Sequence, residues 1–274
     1  MYEMTQFQAF FIENEAMLRL SCFIILLFIL LGLQLIRPRR LPEQGNWNRQ
    51  ANNLLLLVVN IIVVRLLVPL AIFDVAVYAT KNDIGLFNIV ETPLLLNVVL
   101  TLIIFDLLIY IQHVITHKIN FLWQIHRVHH IDREVDVTTG IRFHPFEIVL
   151  SVLYKMLAVI LIGPVAYAII LYEILLNAAA LFTHSNILIN SKLDKYLRML
   201  FVTPDMHRIH HSVIRDETDS NYGNILSIWD KLFKTYRLLP KAGYDDMVIG
   251  LNEFRDTASG QLLQLLKTPF ITGR

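Results

Sequence analysis

The chain has one cysteine, Cys22, and it sits inside an apolar run. That excludes a disulfide framework, a thiolate zinc site and a cysteine-held iron–sulfur cluster within one chain. Net charge is equally scarce. With 24 basic and 23 acidic residues the formal charge is +1, so no basic field points to nucleic acid as a partner. Histidine is absent from both ends: none of the ten lies before residue 113 or after residue 211. No G-x-G-x-x-G stretch offers a nicotinamide or flavin site. Hydrophobic residues fill the space, at 55% of the chain with a mean hydropathy of +0.53, above the usual soluble range. A metal site in such a chain takes nitrogen and oxygen ligands.

The apolar residues fall in runs. Ala16 to Ile36 is long enough to cross a bilayer, which takes about 20 residues, and it ends at Arg37-Pro38-Arg39-Arg40. With no basic residues before it and no small-residue cleavage site, it reads as a retained anchor whose basic end is cytoplasmic. A polar turn is expected over 41–50, then a second span from Asn53 to about Tyr78, interrupted by Arg65, Pro69 and Asp74. A charge as deep as Arg65 either snorkels, pairs within the bundle or serves function. Residues 80–92 read as a loop, and Pro93 opens a third span to about Ile111. Counting spans puts His113 onward on the side of the arginine cluster, where Lys118, Arg127, Arg133 and Arg142 agree with the positive-inside rule. The next apolar region, 148–183, is split by Gly163-Pro164. It reads as a helical hairpin that returns His184 to that same side.

The histidines are spaced for helix faces. His113 and His117 are an i, i+4 pair, while His126, His129 and His130 repeat the H-x-x-H-H spacing of His207, His210 and His211. Each group points its imidazoles one way. Asp106 and Tyr110 share the face of His113 and His117, so Asp106 is placed to accept the far ring N–H of a metal-bound histidine. Together with His144 and His184 the set suffices for two metals, and imidazole suits iron, zinc, copper or nickel. Asn177, at i−7 from His184, either orients a ligand or bonds between helices.

In order along the chain come Asp106, Tyr110, His113 and His117, then Trp123, His126, His129 and His130. Arg142-Phe143-His144-Pro145, Thr183-His184-Ser185-Asn186 and Pro204 with His207, His210 and His211 follow. Asn221-Tyr222-Gly223 and Trp229-Asp230-Lys231-Leu232-Phe233 close the series. Over roughly residues 100–240 the chain resembles the fatty acid hydroxylase/sterol desaturase superfamily of integral-membrane di-iron oxygenases, in its broad bacterial branch. The resemblance implies that all ten histidines bind two irons, with zinc as a possible substitute. It also implies that Asp106, Tyr110 and Asn221 complete the site and that O2 is used to hydroxylate a C–H bond of a membrane lipid.

The expected fold is all-α and integral to the membrane. Transmembrane helices and a re-entrant or short helical hairpin would carry a cytoplasmic helical cap that holds a histidine-rich di-metal site. Residues 1–111 would be an anchor region with three spans, 100–240 a catalytic domain that includes the hairpin, and 241–274 a cytoplasmic tail. The location expected is the inner (plasma) membrane. No histidine is spare for a fused cytochrome, so electrons are expected from a separate redox protein. Lys118, Arg127, Arg133, Arg198, Arg208 and Arg215 would either dock it or simply follow the positive-inside rule. Competing readings are a desaturase on the same scaffold, a metal-binding or metal-transporting membrane protein, and a zinc lipid hydrolase with Glu147 or Glu173 as base.

Overall fold

The computed structural model describes residues 6–42, 46–256 and 260–271, so the first five residues, the centre of the expected turn at 41–50 and the last three residues lie outside it. Helices dominate in chain order: α1 Gln6–Glu13, α2 Glu15–Ile36, α3 Asn46–Leu67, α4 Ile72–Lys81, α5 Leu86–Ile89, α6 Leu94–Lys118, α7 Asn120–His130, α8 Pro145–Ile162, α9 Ala166–His184, α10 Ser191–Leu197 and α11 Pro204–His210. Only short helical turns follow. Among the described residues five stretches are long and apolar enough to cross a membrane: Glu15–Ile36, Trp47–Ile89, Leu94–Lys118, Pro145–Ile162 and Ala166–His184. The protein is an all-α membrane protein.

Three boundaries differ from the sequence reading. The polar turn is shorter than expected, because Asn46 already begins α3. The second apolar stretch is two helices, since Pro69 bars the helical bond there and restricts Val68, and α4 restarts where Asp74 caps the Ala71 N–H at 2.9 Å. Helix α6 continues seven residues beyond Ile111, and its last two turns carry His113 and His117.

The Gly163-Pro164 break does reverse the chain, but the arms are held apart by α4. Ile72 and Ala76 of α4 pack with Ala158 and Val159 of α8 and with Ala166, Ile169 and Tyr172 of α9. At the far end Gly163 (φ +70) meets Gly85 (φ +94) back to back, where a Cβ on Gly85 would lie 2.4 Å from Gly163 N. Both positions need the left-handed freedom of glycine and its lack of a side chain.

At the near end, polar side chains fasten the spans to a cap. Gln34 Oε1 on α2 accepts from the backbone N–H groups of Val137 (2.8 Å) and Asn186 (2.7 Å). Arg39 pairs with Asp205 at 3.2 Å and Asp245 at 3.0 Å, while Arg40 donates to the carbonyls of Met247 and Asp245. The arginine cluster after α2 and the histidines therefore share one end of the bundle. Arg49 on α3 binds Asp132 at 2.7 Å and also Asp136, and buried Arg142 lies 3.5 Å from Asp132. These charges brace the loop between α7 and α8. The C-terminal residues 241–256 and 260–271 pack on the rest of the protein. Met247 and Ile249 pack on Val135, while Phe254 and Leu265 join Leu56, Val128 and Ile131.

Candidate metal centre

Nine of the ten histidines gather in two groups, each with ligand atoms within 4.8 Å of one another. His113, His117, His126, His130 and His210 form one; His129, His184, His207 and His211 form the other. The helices deliver them from four directions: the last turns of α6, the length of α7, the final residue of α9, and α11 with its capping residue His211. Thr203 starts α11 by capping the Met206 N–H, and Pro204 takes the first helical position, which needs no donor.

Five of the nine far ring nitrogens are hydrogen-bonded on the outside, while Nδ1 of His117, His130, His207 and His211 is buried without such a bond. His126 Nδ1 donates to Glu147 at 2.6 Å, His113 Nδ1 to the Tyr222 carbonyl at 2.8 Å and His210 Nδ1 to the Ser220 carbonyl at 2.8 Å. His184 Nδ1 donates to the Ala180 carbonyl at 2.7 Å and His129 Nδ1 to the Arg142 carbonyl at 3.2 Å. His117 Nδ1 lies 3.4 Å from Asp219, an ion-pair distance without hydrogen-bond geometry. An Nδ1 proton fixed outward leaves the Nε2 lone pair facing in.

Inside the site those nitrogens face one another. His184 Nε2 is 3.0 Å from both His129 Nε2 and His207 Nε2, and His130 Nε2 is 3.2 Å from His126 Nε2. Nε2 of His113, His117, His210 and His211 is buried with no hydrogen-bond partner. Buried nitrogens are rarely left so, and a cation is the partner that satisfies several lone pairs at once. Burial first, and then the neighbouring imidazoles, hold His129, His130, His207, His210 and His211 well below the usual histidine range. They are neutral at neutral pH, the state a metal ligand needs. The donor set fits two divalent transition-metal ions.

His144 is not brought to either group. Its Nδ1 accepts from the Phe146 N–H at the start of α8 and its Nε2 lies 3.3 Å from the Leu266 carbonyl. Asp106 also stands away from the imidazoles. Its carboxylate accepts from the Ile225 and Leu226 N–H groups (3.3 and 3.2 Å) and from Trp229 Nε1 (2.8 Å), tying α6 to the cap. Tyr110 stacks on Phe233 at 5.4 Å and bonds Thr235 Oγ1 at 2.8 Å. Asn221 (φ +53) donates to the carbonyls of Met206 and Arg237. That fixes the turn whose flanking carbonyls, Ser220 and Tyr222, serve His210 and His113.

Half of the expected docking patch is internal. Arg127, Arg198 and Arg208 are buried. Arg127 binds the carbonyls of Thr268 and Ile271, and Arg198 binds Thr203 Oγ1 and the Leu238 carbonyl. Burial lowers the Arg208 guanidinium to about 10. Arg133 reaches the Arg255 carbonyl, and Lys118 and Arg215 share Asp219 at 3.0 Å each.

A cavity of about 460 Å³ opens from His113, His126, His129, His184 and His207 into the span region. Aliphatic side chains of four spans line it, including Leu57, Val64, Ile109, Val152 and Leu176.

The fatty acid hydroxylase family model matches residues 98–235, half of the chain. The ornithine lipid hydroxylase of Rhizobium tropici is 32% identical over 182 residues, 66% of this chain and 52% of that protein. The human alkylglycerol monooxygenase is 30% identical over 139 residues, 51% of this chain and 29% of its own length, and the Caenorhabditis elegans protein of that name is 28% identical over 133 residues (48% and 25%). The chain thus spans about half or less of these curated relatives. No solved structure matches it significantly.

Proposed function

The chain belongs to the fatty acid hydroxylase family, and on that footing we propose that it is a di-iron oxygenase that hydroxylates a membrane lipid with O2. The observation that carries this reading is the junction of two all-histidine groups with a cavity walled by membrane-spanning helices. The nine grouped histidines are the ligands, five for one ion and four for the other. Iron held there would supply O2 activation and attack on an unactivated C–H bond.

The chain's own residues do the rest. Glu147 and the carbonyls of Tyr222, Ser220, Arg142 and Ala180 keep the imidazoles turned inward. Phe143, stacked on His129 at 4.5 Å, and the aliphatic wall keep water from the reacting carbon. Asn221 acts by position, holding the turn that carries the outer carbonyls of Ser220 and Tyr222, while Tyr110 braces Thr235 and Asp106 ties α6 to the cap. The names of the relatives, an ornithine lipid hydroxylase and alkylglycerol monooxygenases, support a polar lipid as substrate. A separate redox protein supplies the two electrons. The site end faces the cytoplasm from the inner membrane, in keeping with the arginines that follow α2.

Purification without oxygen followed by metal analysis, then turnover with O2, reductant and a lipid extract read by mass spectrometry, tests the proposal. Two irons per chain and a product heavier by one oxygen are expected. Fewer than two metals, or equal product without O2, overturns it. A loss of hydrogen in place of the gain assigns desaturation.

A further inference from the structure

The foot of the cavity is charged. Below the histidines it is lined by Arg19, Arg65, Lys155 and Glu173. Glu173 is buried, accepts from Lys155 Nζ at 3.0 Å and pairs with Arg19 at 3.2 Å, and Arg19 also pairs with Glu15 at 3.2 Å. Two cations and two carboxylates thus match within this set. Arg65 does not belong to it. Among the described residues Arg65 has no hydrogen-bond or ion-pair partner, although it lies on an apolar stretch long enough to cross the membrane. Charges in such stretches are rare, costly, and turned toward partners or cavities. Glu147, the other acid of the lining, is bonded to His126 at the head, so at the foot three cations meet two carboxylates and the exposed Arg65 is left without a counter-ion.

The route from the histidines to Arg65 is polar in part as well. Asn60, Gln112, Ser151 and Asn177 line it among the aliphatic residues. These groups bond mostly within the protein: Ser151 Oγ to Gln112 at 3.2 Å, and the amides of Asn60 and Asn177 to the Phe143 and Glu173 carbonyls at 2.8 Å each. A carbon chain can therefore pass them, and the uncompensated charge is the one at the foot.

We propose that Arg65 binds the anionic group, a carboxylate or phosphate, of an amphiphilic substrate whose carbon chain reaches the histidines. The guanidinium presents a planar fork suited to two parallel bonds with either oxyanion. Arg19, Glu173 and Lys155 hold the wall behind it. This assignment rests on reading the chain as a lipid oxygenase and adds the class of lipid.

Binding is measured on the full chain in non-ionic maltoside micelles, as purified and after chelation, by calorimetry at equal mole fraction of ligand. Four ligands share one chain length: dodecanoate, dodecyl phosphate, dodecanol and dodecylamine. At least one of the two anions is expected to bind about tenfold more tightly than dodecanol, with the amine weakest, and the anion preferred tells carboxylate from phosphate. Arg65→Gln is expected to erase the preference without changing metal content, and Arg65→Lys to keep part of it. Equal binding of dodecanol and both anions by the unaltered protein overturns the proposal, as does an anion preference that survives Arg65→Gln. If Arg65→Gln cannot be recovered, Arg65→Lys decides: a several-fold loss for the anions alone supports the fork, and unchanged affinity overturns it. Because the chelated protein is assayed too, a failure of the oxygenase reading appears in metal content and O2 use and leaves this measurement standing.

Discussion

Glu147 accepts the Nδ1 proton of His126 at 2.6 Å, the shortest of the outer bonds around the two histidine groups and the one made by a carboxylate. It fixes the tautomer of His126 and makes its inner nitrogen more basic. Glu147→Ala is expected to lower metal affinity about 10- to 100-fold, and Glu147→Gln, whose amide oxygen still accepts the hydrogen bond, by less. Titration against a competing chelator checks this. One ion per chain is expected to weaken while the ion of the four-histidine group stays.

Asp106 was expected to orient a ligand, and its oxygens instead hold Ile225, Leu226 and Trp229. Asp106→Ala removes the acceptor of two half-buried backbone donors and an indole, at about 1 kcal/mol for each bond lost. A lower Tm is the expected outcome, with metal content per folded chain unchanged. Asp106→Asn, which keeps one acceptor oxygen, is expected to fall between. Loss of metal from well-folded Asp106→Asn protein would instead place the carboxylate among the ligand-orienting groups.

Gly140 lies against the carbonyl that holds His184. A Cβ there would sit 2.6 Å from Ala180 O, the acceptor of His184 Nδ1. Gly140→Ala is expected to cost about 1–3 kcal/mol of overpacking and to lower occupancy of the four-histidine group. Gly32→Ala is the control, since its Cβ would meet nothing within 4 Å. Paired Tm and metal measurements check both.

Acid is expected to weaken the metal-free protein. The five histidines His129, His130, His207, His210 and His211 are held below their ordinary value by burial. Between roughly pH 6.5 and those lower native values, the unfolded chain therefore binds protons that the native chain does not. Stability falls as pH falls through that window, by about 1.4 kcal/mol per pH unit for each histidine, and is unaffected above it. Asp132 acts at lower pH: Arg49 and Arg142 outweigh its burial and hold its carboxyl down, so its contribution is lost below about pH 3.9. Thermal unfolding of chelated protein from pH 7.5 to 5 checks the first window, and His211→Gln is expected to flatten the slope.

The histidine spacing carried most of the site into view. Helical phase alone places His113 with His117 and aligns each H-x-x-H-H set, and the Gly163-Pro164 break foretells the return of His184. The outer partners were hidden for a physical reason. Four of the five outer hydrogen bonds to a ring Nδ1 end on backbone carbonyls, which every residue possesses, so no side-chain pattern reveals them. Glu147 had a faint signal, an acid in the first turn of a helix begun by His144-Pro145. His144 misled because its residue type suits a ligand while its position suits a helix cap. The arginines misled in the same way: Arg127, Arg198 and Arg208 look like a surface field, but the carbonyls that bury them come from distant loops and from residues 268–271.

Helix α9 is one unbroken rod from Ala166 to His184, and it carries Glu173 at the foot of the cavity and His184 at its head. Eleven residues at 1.5 Å each set these two about 16 Å apart. The rod cannot stretch, and the Gly85–Gly163 crossing keeps its lower end from sliding. A molecule whose head rests at Arg65, in the foot of the same cavity, must then present the same atom to the histidines each time, counted in bonds from its head. In the proposed oxygenase, length along the rod, more than the reactivity of one C–H bond over the next, would select the position that is oxidised.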